Sequence, residues 1–109
     1  MTTQNDEPIQ NDDPTLLKVK GESGFQNDEE RKFYIKKLTS AILTVVGKHG
    51  YARLKTVGAS SGMNAWKAAA NARGEAVKRG IDLVVEPSYD EATFDGNIKT
   101  AMVFKVIPR

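Results

Sequence analysis

The chain has no cysteine and a single histidine, His49. Disulfides and thiolate metal sites are thereby excluded, and with no second histidine and no carboxylate pair at ligand spacing nothing in the sequence builds a metal centre. No apolar run approaches the roughly 20 residues that a helix needs to cross a bilayer, so no membrane partner is expected. Residues 1–15 contain no Lys or Arg, whereas a secretory or organellar signal would carry basic residues there, and the expectation is a cytoplasmic protein. Ser60 and Ser61 have no base motif around them, so the sequence presents no catalytic residue, no cofactor site and no enzyme.

What the chain does have is an uneven distribution of charge. Its 109 residues are enough for one domain of ordinary size, with a net charge of +2. Asp6, Glu7, Asp12 and Asp13 all lie in residues 1–15, which therefore carry −4 and leave +6 on the remainder. The segment also holds Pro8, Pro14, four amides and few apolar groups, too little burial to offset the entropy of ordering. Residues 1–15 are read as a disordered acidic tail and residues 16–109 as the folded domain. The tail serves solubility or competes with an anionic partner for the basic domain.

Within the domain, apolar periodicity predicts alternating strands and helices. Leu17 and Val19 alternate with Lys18 and Lys20, as on a strand with one buried face. Asn27 and Glu30 form a capping-box pattern, and Tyr34, Leu38, Ala41, Ile42 and Val45 then recur as one helical stripe that ends near Gly50. Ala52, Leu54 and Thr56 predict a second strand. After the turn Gly58–Gly62, Ala65, Ala69, Ala72 and Ala76 form the narrow seam of a second helix that ends near Gly80. Ile81, Leu83 and Val85 make a third strand that Pro87 interrupts or edges. Asp95–Gly96 is a hairpin turn, leading to a fourth strand with Thr100, Met102, Phe104 and Val106 on one face. Right-handed crossovers put both helices on one face of the sheet, while the strand order stays open.

The series Asn64-x-x-Lys67-Ala68-x-x-x-Ala72-Arg73-Gly74, Gly80-Ile81-Asp82-Leu83, Asp95-Gly96, Thr100-Ala101 and Pro108-Arg109 resembles the stage V sporulation protein S family. The resemblance runs from Leu16 to Arg109 and is dense from Gly58 onward. It implies an α+β, Alba-like fold: a two-layer β-α-β-α-β-β sandwich with a mixed four-stranded sheet ordered one-two-four-three and two helices on one face. It also implies a non-enzymatic, nucleic-acid-binding regulator in developmental or gene regulation, with pairing into a homodimer.

Two surfaces suit phosphate. At the turn before the second helix, Ser60, Ser61 and Gly62 direct backbone N–H groups at an anion, helped by the helix dipole. Asn64, Lys67 and Arg73 stand at the positions of the family's motifs, and the resemblance favours Lys67 and Arg73 as the basic pair. On the uncovered face of the sheet, alternation projects Lys18, Lys20, Arg53, Lys55, Lys99 and Lys105, among which Lys18, Lys55 and Lys105 are the candidate contacts. Asp90, Glu91 and Asp95 in the hairpin would repel phosphate, which argues against that hairpin reaching along DNA as an arm. The expected partner is DNA or RNA bound with little sequence preference; the alternative is an acidic protein docked on the basic face.

Overall fold

The computed structural model describes residues 9–10, 13–21 and 24–109, and among them the chain forms five strands and two helices. These are β1 (Ile9–Gln10), β2 (Leu16–Lys18), α1 (Asp28–His49), β3 (Ala52–Thr56), α2 (Ala59–Val77), β4 (Leu83–Phe94) and β5 (Asn97–Pro108). One sheet contains all the strands, in the order β1-β2-β3-β5-β4. β2 and β3 are parallel and the other neighbours antiparallel. Apart from the short β1, this is the mixed two-layer β-α-β-α-β-β sandwich that the sequence leads one to expect.

Strand register assigns the two faces. Leu17, Leu54 and Phe104 stand opposite one another, as do Ala52, Val106 and Val85, and these rows pack against the helices. Tyr34, Ile35, Leu38, Ile42 and Val45 of α1 complete the core. Leu16, Arg53, Lys105 and Glu86 form a row on the opposite face.

Local chemistry sets the helix ends. Asn27 caps α1, its side chain accepting from the Glu30 N–H at 2.9 Å. The Glu30 carboxylate reaches back to the N–H of Gln26 at 3.0 Å, one residue beyond the usual partner in a capping box. After α2, Ile81 N–H donates to the Ala76 carbonyl and Gly80 N–H to that of Val77, a paired closure that requires the left-handed φ of +79° at Gly80.

Two regions differ from the reading of the sequence. β4 continues through Pro87 to Phe94, because it lies at the edge of the sheet, where a missing N–H need not cost a ladder bond. β4 and β5 consequently outrun β3, whose pairing with β5 ends at Met102, and their distal halves form a two-stranded arm. Of the segment read as an acidic tail, residues 1–8 and 11–12 lie outside the described residues. Ile9–Gln10 pair with Leu17–Lys18 and cover the edge of β2. Asp13 accepts hydrogen bonds from the backbone and hydroxyl of Thr15 and forms an ion pair with Arg53.

Ala65, Ala68, Ala69, Ala72 and Ala76 bring α2 close to its neighbours and are all buried. Ala72→Leu forces extra methylenes into a packed seam and is expected to cost about 1–3 kcal/mol, measured as a lower urea midpoint. The same change at the exposed Ala70 is expected to be nearly neutral.

Candidate nucleic-acid interface

Because α1 and α2 each follow one of two parallel strands, both helices begin at the carboxyl ends of β2 and β3. The two N-termini are treated differently by the sequence. Asp28, Glu29 and Glu30 occupy the first turn of α1, whereas α2 has no acidic residue in its first turn and no side-chain cap. Its N-cap is Gly58, at φ +91° and ψ 164°, a conformation that residues with a Cβ rarely adopt. Among the described residues α2 therefore carries no acidic group of its own against the positive end of its dipole, which favours an anion there.

A cavity of about 510 Å³ opens beside this N-terminus. Lys18 at the end of β2, Val19 and Gly21 from the following loop, Lys55 of β3 and Val57 just after it line it together with Ser60 of α2. Ala92 and Thr93 of the β4–β5 arm supply a further wall. The surfaces that appear separate in the sequence, the helix turn with Ser60 and the sheet lysines Lys18 and Lys55, therefore line one cavity. Gly21 permits this closeness: a Cβ there would stand 2.7 Å from the Ser60 hydroxyl oxygen.

The other candidate residues lie elsewhere or have structural partners. Ser61 is buried, and its hydroxyl donates to the carbonyls of Val57 at 2.8 Å and Gly58 at 3.2 Å. Gly62 N–H closes the first turn onto the Gly58 carbonyl. Asn64, also buried, donates from Nδ2 to the Lys20 carbonyl at 2.9 Å and so ties α2 to the end of β2. Arg73 donates from Nε to the Leu83 carbonyl at 2.8 Å and lies 3.5 Å from Asp82, holding the start of β4. Lys67 is exposed on α2. The Asp28 carboxyl is held below its usual range first by Arg31, with smaller contributions from Lys32 and Lys67.

The open sheet face is partly neutralised from within. Lys55 lies 3.4 Å from Asp90, Arg53 contacts Asp13, and Lys105 sits 4.8 Å over the ring of Tyr51. Lys18 is exposed at the cavity. Lys20 does not join this face: its ammonium lies over the rings of Phe25 and Tyr34, and its N–H donates to the Tyr34 hydroxyl. The sequence reading missed the cavity walls Gly21, Ala92 and Thr93. A turn glycine signals the first, but no local pattern signals that the arm lines the same cavity as the strand ends.

The family described as stage V sporulation protein S has a model that matches residues 31–109. That span contains α1 from Arg31 onward, all of α2 and the strands β3, β4 and β5, while Lys18 and Gly21 precede it.

The contacts of Arg73 and Asp82 generate a test of their structural role. Removing the Arg73 hydrogen bond to Leu83 is worth about 1 kcal/mol, so Arg73→Ala is expected to lower the thermal midpoint by several degrees. Asp82 is held below its ordinary 3.8 first by its hydrogen bonds from Arg109 and then by the charges of Arg109 and Arg73. A carboxyl depressed on folding contributes stability that is full above its unfolded value and lost as pH falls through the folded one. The gap in urea midpoint between wild type and Asp82→Asn is therefore expected to hold above pH 3.8 and to close below it.

Proposed function

The chain belongs to the stage V sporulation protein S family, and from that premise we propose that it is a non-enzymatic nucleic-acid-binding protein serving sporulation-type or gene regulation in the cytoplasm. The observation that carries this reading is the cavity in which Lys18, Lys55 and the N-terminal turn of α2 converge. Two ammonium groups and a helix N-terminus recognise the one chemical group repeated along every nucleic acid, the phosphodiester. Val19, Val57 and Ala92 add apolar walls, and the hydroxyls of Ser60 and Thr93, which donate or accept alike, do not commit the cavity to one base. Binding to DNA or RNA is accordingly sensitive to salt and tolerant of sequence. Lys67 and Lys105 lie outside the cavity lining.

A homodimer forms part of this proposal. Met63 and Trp66 of α2, with Tyr89 and Ile98 of the arm, expose large apolar surface, and the Trp66 ring packs 5.1 Å from that of Phe104. A second copy covering such groups removes them from water and doubles the number of phosphate sites on one particle. Sedimentation is expected to give a dimer that Trp66→Glu shifts toward monomer. Monomer throughout at high concentration would overturn this part of the proposal.

Titration of labelled DNA and RNA oligonucleotides at several salt concentrations tests the binding site. Lys18→Ala is expected to weaken binding at low salt and to reduce the salt slope by about one unit, and Lys55→Ala to weaken it with a smaller change in slope because Asp90 already pairs with that ammonium, each with little change in thermal midpoint. Arg73→Ala is expected to lower the midpoint and leave the slope unchanged. Equal affinity of wild type, Lys18→Ala and Lys55→Ala would remove the cavity from the binding surface.

A further inference from the structure

Register places Lys18, Lys55, Val103 and Ser88 in one row across the open face of the sheet. Two positions along the arm from Ser88, Asp90 turns back onto this row, its Oδ2 lying 3.4 Å from the ammonium nitrogen of Lys55. The other carboxylate oxygen, Oδ1, accepts from the Glu91 N–H at 2.8 Å, so the group is oriented before any ligand arrives. Lys55 is only about one-fifth exposed, while Asp90 is about half exposed and stands on the solvent side of the pair. Lys55 also lines the cavity whose arm wall is built by Ala92, two residues beyond Asp90.

We propose that Asp90 is an intramolecular competitor for phosphate at Lys55, a carboxylate that must be displaced before Lys55 contacts the nucleic-acid backbone. This rests on the reading of the cavity given above and assigns that site its regulation. The Glu91 N–H and Lys55 together hold the Asp90 carboxyl below its ordinary 3.8, so the competitor stays charged at neutral pH. A lone phosphate must replace one charge-assisted contact by another of similar strength and gains little. A polyanion that engages Lys18 and the α2 N-terminus as well presents its next phosphate to Lys55 at high local concentration, and displacement becomes favourable. The pair thus discriminates polymers from small free anions. Asp13 at Arg53 has a different role, because two hydrogen bonds from Thr15 anchor it to the chain just before β2.

The test uses the full chain with Asp90→Asn, and with Glu91→Gln as a variant that removes the same charge from the adjacent arm position. Asparagine retains an oxygen to accept from the Glu91 N–H, so the arm keeps its local support. Oligonucleotide affinity at low salt is expected to rise about two- to fivefold in Asp90→Asn, the range set by the strength of an exposed ion pair. The salt slope is expected to steepen by up to about one unit, with a smaller change in Glu91→Gln. In a Lys55→Ala background the gain from Asp90→Asn is expected to vanish. A gain equal to that of Glu91→Gln, or one that persists without Lys55, would overturn the competitor role. Wild-type binding that weakens in Lys18→Ala yet ignores Asp90→Asn overturns that role alone. Absence of oligonucleotide binding in every variant overturns both it and the nucleic-acid reading.

Discussion

The buried alanines of α2, at positions 65, 68, 69, 72 and 76, set how closely that helix can approach its neighbours, and the geometry of the cavity follows from that distance. With only methyl groups in the seam, the first turns of α2 come near enough for Asn64 to reach the Lys20 carbonyl. Gly21 can then lie against Ser60. Those contacts bring the end of β2 beside the helix N-terminus and set Lys18 and Lys55 around the same hollow. Larger side chains in the seam would lift α2, separate Ser60 from the strand ends and leave two unrelated surfaces.

Local periodicity made much of the sandwich legible. Tyr34, Leu38, Ile42 and Val45 recur at helical spacing and are buried, while Leu54, Phe104 and Val106 alternate on the inner face of the sheet. The order of strands was not derivable from those patterns, because several arrangements bury the same residues; the family resemblance selected the one that the structure has. Pro87 left open whether the strand stops or lies at an edge, since a proline weakens a strand only where its missing N–H is needed, and that β4 lies at an edge is a tertiary fact. Ile9–Gln10 gave no sign of pairing either. Two residues carry no period, and their partner strand lies beyond an intervening proline-containing turn.

The candidate site was legible as chemistry but not as geometry. Lys18, Lys55 and Ser60 could each be selected for its residue type, yet nothing local showed that they line one cavity. Asn64 and Arg73 expose the opposite weakness of reading by motif. A recurrent polar residue suggests a ligand, but here Asn64 binds the Lys20 carbonyl and Arg73 that of Leu83, tasks equally able to require one residue type at one position. The charge pattern has the same ambiguity. Counting lysines describes the open face as basic, whereas Asp90, Asp13 and the Tyr51 ring each hold one of its cations.

The position of β5 between β3 and β4 also bears on the route by which the fold is reached. β2, α1 and β3 form a parallel unit from contiguous chain, but among the described strands β4 has β5 as its sole neighbour. β4 cannot join that unit ahead of β5. The hairpin must either form first and dock through β5 or assemble around β5 after it has paired with β3, across some 50 residues of intervening chain. Ala92 and Thr93 reach Lys55 only by way of β5, so the walls around Lys55 cannot meet until that long closure is made.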